Sequence, residues 1–301
     1  MRIVLALGGN ALLHRGEPLT SDNQLMNIKR AALQIKCIVP NNQLIITHGN
    51  GPQVGLLALQ ADAYPAVKSY PLDVLSAETE GMIGYLLEQE LANLLPARSI
   101  VTLLTRVIVD KNDPAFSHPT KPIGPMYSKA EALQLAKERG WSVAPDNSGY
   151  RRVVASPLPQ KILNIEPILW LLNHEAIVIA GGGGGIPVSS SSEGYSSHGI
   201  EAVIDKDLCS AMLAKEVSAD CFLIGTDVDA VYLDWGKSTQ QPIREISLSE
   251  INSLSFAEGS MGPKVKAACQ FVAQTGKKAI IGALDQIEDM LQGHAGTCIK
   301  A

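Results

Sequence analysis

Short runs of Val, Ile and Leu that barely alternate with polar residues recur along this chain, at residues 3–7, 44–47, 100–109, 176–180, 222–224 and 279–281. A strand with one face in water alternates, whereas a strand covered on both faces does not. Between the runs lie stretches with helical spacing. Ile83, Leu87, Leu91 and Leu94 share one face, and so do Val265, Ala268, Cys269 and Val272. Buried strands interleaved with helices predict an α/β fold, a mainly parallel sheet in a layered sandwich. Several runs exit into glycine: Leu7 into Gly8-Gly9, Thr47 into His48-Gly49-Asn50-Gly51, Ala180 into five glycines, and Ile224 into Gly225. In open α/β sheets, ligands bind beyond the carboxyl ends of the strands, so these exits predict a site along one rim.

The five-glycine run in "IVIAGGGGGIPV" (177–188) has two readings. Glycine makes flexible spacers, and it also lets backbone N–H groups close around an anion. The buried strand before it and the Ile-Pro-Val after it favour the cradle. The "SSSSEGYSSHG" that follows (189–199) has linker composition and reads as a surface loop. Residues 110–160 are irregular, with four prolines in "KNDPAFSHPTKPIGPMYS" and then a helix pattern over Lys129–Arg139. They read either as a small excursion inserted into the sheet fold, in the manner of a lid, or as a long proline-stiffened loop.

With 301 residues and 46% apolar content, the chain suits one large domain or two lobes. A net charge of −5 argues against nucleic acid as the main partner, and 5% aromatics argues against a base-stacking platform. Five scattered cysteines without a C-x-x-C pair fit reduced thiols rather than a zinc site or a disulfide framework. The start, "MRIVLALGGNALL", imitates a secretory signal, but its apolar run ends at Gly8-Gly9-Asn10 with no cleavage site after it. The apolar stretch at 168–180 is broken by Asn173, His174 and Glu175, so no membrane span is expected. The expectation is a soluble, cytoplasmic protein.

Familiar phosphate-binding motifs fail. Gly236-Lys237-Ser238 ends like a P-loop, but Val231 stands where its first glycine belongs. "GNGPQVG" carries its third glycine, Gly55, one residue too late for a dinucleotide fingerprint, and protein-kinase signatures are absent. What remains is glycine loops with lysines. Lys206 stands between Asp205 and Asp207 at a helix start, Lys264 follows Pro263 in the first turn of another, and Lys121 sits between prolines. A first-turn lysine is unfavourable for its own helix and hints at an anionic ligand. Taken singly, each is also compatible with a solvated turn. Asp227 and Asp229 read either as metal ligands or as turn residues.

The ordered set is specific. "ALGGNAL", "THGNGPQVG", "PLDV…EGMIGY", "DPAF…PTKPIGP", "RRVV.SP", "GGGGIPV", "EAVIDKD", "TDVDAVYL", "GSMGPKV" and "AIIGAL" run in order from about residue 2 to residue 300. Together they closely resemble the carbamate kinases of the amino acid kinase superfamily. That resemblance implies an αβα sandwich with a small protruding subdomain at about 110–160. It implies an N-terminal lobe (1–195) for carbamate or carbamoyl phosphate and a C-terminal nucleotide lobe (196–301). It also implies a homodimer that transfers a phosphoryl group reversibly between MgATP and carbamate, in catabolism towards ATP. The Mg²⁺ would be held mainly by phosphate oxygens.

By the same resemblance, Gly8, Gly9 and Asn10, with Gly49, Asn50 and Gly51, would supply donors around the phosphoryl and carbamoyl groups. Lys206 would bridge the phosphates across the transfer line, and Asp205 would orient the lysines. Lys264 would bind nucleotide phosphates, with Met261 and Asp227 towards the nucleotide. Lys121 would reach carbamoyl phosphate from the subdomain, and Gly183 and Gly184 would line the cleft. Carbamate is already an anionic nucleophile, so no general base is required, and His48 reads as a loop-positioning residue.

Some features depart from the family pattern: five glycines followed by four serines, acidic Glu78 and Glu80 after "PLDV", and "IGTDVD" in place of the commoner "LTDVD". They spare the lysines. Two other functions stay open at this level, a same-fold kinase for another small carboxylate and a non-catalytic sensor of nucleotide or carbamoyl phosphate.

Overall fold

The unalternating runs become the centre of one eight-stranded sheet. A computed structural model describes residues 1–12, 17–64, 66, 69–146, 149–190, 197–256 and 261–301, the side chains of Asn10 and Ala11 excepted. The sheet runs in the order Glu245–Ser247, Thr297–Lys300, Lys278–Ala283, Cys221–Thr226, Arg2–Leu7, Gln43–His48, Ile177–Ala180, Ile100–Leu103. Its neighbours pair in parallel except Thr297–Lys300 against Lys278–Ala283.

Alternate side chains of each central strand enter different cores, which is why the sequence shows no polar alternation. Val4, Ala6, Ile45, Val178, Phe222 and Ile224 pack with the helices Ile165–Asn173, Lys206–Glu216 and Met261–Thr275. Ile3, Leu5, Leu7, Leu44, Ile46, Ile179 and Leu223 pack with Ser21–Ile38, Leu72–Leu94 and Ile287–Gln292. The result is a three-layer αβα sandwich.

The run at 100–109 does not form one strand. It breaks at Leu104-Thr105 into Ile100–Leu103 at the edge of the main sheet and Arg106–Val109 in a separate four-stranded sheet. The break turns Thr105 towards the glycine run. The proline-rich insertion folds into a three-stranded antiparallel sheet, Lys121–Tyr127, Gly149–Val154 and Ser142–Asp146, with the helix Lys129–Arg139. It is a subdomain rather than a loop. A Ser128 capping box opens its helix and left-handed Gly140 closes it, both as helix-end chemistry prescribes. The serine-rich stretch lies outside the described residues at 191–196, and its flanks, Ile186–Ser190 and Ser197–Gly199, pair as an antiparallel hairpin.

Candidate active site

Parallel pairing brings the carboxyl ends of the central strands to one rim, where backbone bonds join them. Gly8 N–H donates to Gly225 O at 2.8 Å, and Gly49 N–H donates to Leu7 O at 3.2 Å. The same Leu7 carbonyl accepts the Lys206 ammonium at 2.9 Å. Lys206 opens its helix beneath an N-cap, Asp205, whose Oδ1 accepts from Asp207 N–H (2.9 Å) and Leu208 N–H (3.2 Å). One turn on, Ser210 Oγ donates to Lys206 O at 2.7 Å and lies 2.6 Å from Thr47 Oγ1, which ties this first turn to the Gln43–His48 strand.

The lysines named from sequence converge here, but two carboxylates share them. Asp207 lies 2.9 Å from Lys206 Nζ and 3.5 Å from Lys264 Nζ, whereas Asp205 Oδ2 takes Lys121 Nζ at 2.7 Å. Asp205, expected to orient the lysines, pairs directly with Lys121, while Lys206 and Lys264 pair with Asp207. Burial works against ionised Asp207, but Lys206 and Lys264 overcome it and hold the carboxyl down at about 2. Asp205 is likewise held low, by Lys121 against the effect of burial. Burial lowers the Lys206 ammonium, and Asp207 counters it. Among the described residues, three ammoniums converge on two carboxylates, a donor-rich cluster that suits an anionic ligand.

The glycines divide into two groups. A Cβ built on Gly9 or Gly51 meets nothing within 4 Å, so these two face open space at the rim. Gly51 also opens the helix Gly51–Asp62, whose first-turn N–H groups lack intrahelical acceptors. The N–H groups of Gly8 and Gly49 are engaged by the Gly225 and Leu7 carbonyls. Asn50 Nδ2 donates to Thr79 Oγ1 at 2.9 Å beneath the surface. The Asn10 side chain lies outside the described residues.

The five-glycine run is buried throughout, so it is no linker. Its N–H groups are largely engaged within the fold. Gly181 donates to Thr105 Oγ1, Gly182 to Glu80 Oε1, Gly184 to Gly181 O and Gly185 to Gly182 O. What requires glycine here is crowding: a Cβ on Gly182 would sit 2.3 Å from His48 Nε2, on Gly183 2.1 Å from the Asn50 amide, and on Gly184 2.6 Å from Ile204 O.

Beneath the run lie two buried ionisable groups, His48, read from sequence as a loop-positioning residue, and Glu80, to which the sequence assigned no structural task. Glu80 accepts N–H bonds from Gly182 (2.9 Å) and Thr105 (3.1 Å), and burial raises its carboxyl to about 8 against those bonds. Burial lowers His48 to about 4, and the Lys206 charge adds to that, so it stays neutral with Nδ1 facing Gly49 O at 3.3 Å. Towards the other lobe, Asp227 is exposed past the end of the Cys221–Thr226 strand, where it accepts from Thr226 Oγ1 at 3.1 Å. Met261 opens the Met261–Thr275 helix and packs partly buried on the core. Asp229 takes Tyr232 and Arg244. No group of three His, Cys, Asp or Glu side chains is placed to hold a metal ion among the described residues.

Residues 1–283 match the amino acid kinase family. The carbamate kinase of Haemophilus influenzae (strain Rd) is 59% identical over 300 residues, covering 99% of this chain and 96% of that protein. A solved structure of carbamate kinase from Giardia lamblia bound to citric acid superposes with a TM-score of 0.93 at 39% identity, over 99% of this chain and 98% of that one. The Giardia enzyme bound to AMP-PNP gives 0.90 at 39% identity, with the same coverage. The chain belongs to the carbamate kinases, within the amino acid kinase family.

Proposed function

We infer that this chain transfers a phosphoryl group reversibly between ATP and carbamate, and we propose that it runs mainly from carbamoyl phosphate and ADP towards ATP. The observation that carries the reading is the lysine array, Lys206 and Lys264 on Asp207 beside Lys121 on Asp205. Such a reaction is mostly alignment and charge neutralisation. An oxygen of the ADP β-phosphate bonds to phosphorus, the P–O bond to the carbamoyl group breaks, and carbamate leaves as an anion without a proton transfer. Lys206, fixed to the Leu7 carbonyl, stands at the middle of the transfer line. Lys264, Met261 and Asp227 take the nucleotide side, and Lys121 takes the carbamoyl phosphate side. Gly9 and Gly51 face the transferred group, and Gly183 and Gly184 line the cleft beneath it. The lobes divide these tasks at about residue 195.

A kinase acting on ATP needs a divalent cation, and we take it to be Mg²⁺. Asp205 and Asp207 are already engaged by lysines, and the rim offers ammonium and N–H donors rather than clustered carboxylates. This donor set fits phosphate, so the cation arrives on the nucleotide's phosphates. The Giardia relative bound to AMP-PNP supports a nucleotide in the cleft. We further propose a homodimer, formed across the open edge of the main sheet at Ile100–Leu103. Leu104 follows that strand, and exposed Met82, Tyr85 and Trp170 lie on the helices of the two layers beside it. No described helix is long and apolar enough to cross a membrane.

The test is ATP formation from carbamoyl phosphate and MgADP by the purified protein beside Lys206→Ala. Loss of one such donor lowers kcat by about 10²–10³-fold, with the fold retained. ATP formation unchanged in the variant removes Lys206 from the transfer line, and a wild type that makes no ATP rejects the reaction.

A further inference from the structure

Gly55 is the glycine that spoils the dinucleotide fingerprint, and it lies outside the lysine array. It sits mid-helix in Gly51–Asp62, where glycine weakens a helix by about 1 kcal/mol relative to alanine. Its surroundings explain the residue. A Cβ there would lie 2.1 Å from Gly124 N and 2.2 Å from Gly124 Cα, with Ile123 C at 3.3 Å. All three are backbone atoms of the Lys121–Tyr127 strand, so no side chain can swing away to make room.

Gly124 is itself specialised. Its φ of 73° lies in the left-handed region, and its carbonyl accepts Arg151 Nε at 3.0 Å. Pairing with Gly149–Val154 shifts register just after Ile123. Around this contact Val54 and Ala58 of the helix join Leu72, Leu75, Ile123, Val154 and Val203 in a small separate core. At the helix's far end Asp62 Oδ2 pairs with Arg139 NH1 at 2.6 Å, and the Arg139 guanidinium lies over the Trp141 ring. The subdomain is thus seated on one helix at two points.

Lys121 opens the strand that contains Gly124, three residues or about 10 Å upstream. We propose that this seat, with Gly55 as its tight point, positions Lys121 over Asp205, so that Gly55 is a positioning residue for the transfer reaction. The proposal rests on the reading of Lys121 as a substrate-side lysine. A methyl group at 55 forces the strand back by roughly 1 Å or more before ordinary contact is restored, and a misplacement of that size costs about 100-fold in catalysis. The effect is expected on carbamoyl phosphate, because Lys121 is the side chain that this strand carries to Asp205.

The experiment is steady-state ATP formation by wild type, Gly55→Ala, Lys121→Ala and the double variant, with carbamoyl phosphate and MgADP varied separately and Tm measured for each. The expected result is a fall of about 100-fold in kcat/KM for carbamoyl phosphate in Gly55→Ala, with KM for ADP unchanged. Added to Lys121→Ala, the same substitution should cost nothing further. An equal loss in both backgrounds, or a KM for ADP that rises in step, makes Gly55 merely structural and overturns the proposal. Wild-type activity in Lys121→Ala alone overturns it through the reading of Lys121, which the single variant exposes separately. Should Gly55→Ala fail to fold, Asp62→Asn loosens the other end of the seat. It should lower kcat/KM for carbamoyl phosphate by about two- to fivefold, only where Lys121 is present. Wild-type kinetics in Asp62→Asn overturn the seat as a positioning device.

Discussion

Glu80 and His48 lie under the glycine run as a pair whose ionisation opposes folding from opposite sides. Glu80 keeps its proton to about 8 when folded, whereas the unfolded chain releases it near 4.5. Between those values the native state binds more protons, so stability falls as pH rises. His48 works the other way, costing stability as pH drops from 6.5 towards 4. From pH 6.5 to 8 only Glu80 of the pair contributes, at up to about 1.4 kcal/mol per pH unit. In Glu80→Gln, the decline in unfolding free energy over that window should flatten by about 1–2 kcal/mol. Urea titrations at several pH values measure it, and an unchanged slope would place the titrating proton elsewhere. Sequence reasoning noted Glu80 only as an acid near the cleft. Its partners, Thr105 and Gly182, are 25 and 102 residues away, and no local pattern encodes such bonds. Lys206 and its flanking aspartates were visible as a helix start, but which aspartate takes which lysine depends on how the Lys121–Tyr127 strand and the Met261–Thr275 helix approach.

At the scale of elements, the glycine run and the helix glycines make a contrast that a pair of substitutions resolves. Gly184→Ala meets the Ile204 carbonyl and a φ of 98°, and should destabilise by roughly 2–4 kcal/mol from overpacking and strain together. Gly81→Ala, in the Leu72–Leu94 helix with nothing within 4 Å, should stabilise by about 0.5–1 kcal/mol. Denaturant midpoints compare them, and a Gly184→Ala protein as stable as wild type would show the run to be uncrowded. The central strands and the Lys129–Arg139 helix were legible because burial on two faces and capping chemistry leave marks in composition. Glu245–Ser247 and Thr297–Lys300 were not, since three or four mixed residues at a sheet edge carry no periodicity. The break at Leu104-Thr105 escaped notice too, because both halves of that run are equally apolar and only their partners differ.

For the whole molecule, the proposed dimer makes the first prediction. Charging the flanking patch with Tyr85→Glu and Trp170→Asp should give a monomer in sedimentation equilibrium, and a wild type that sediments as a monomer at micromolar concentration dismisses the dimer. Arg2–Leu7 precedes the other strands of the sheet in the chain and lies near its middle, and one of its two neighbours is Cys221–Thr226. Arg2 N–H reaches Asp220 across 218 residues of chain. At synthesis rates of about 5–20 residues per second, that strand waits roughly 10–40 seconds on the ribosome with an apolar edge unpaired. Until Cys221–Thr226 is made, that open apolar edge is an aggregation site that a chaperone's cover would shield.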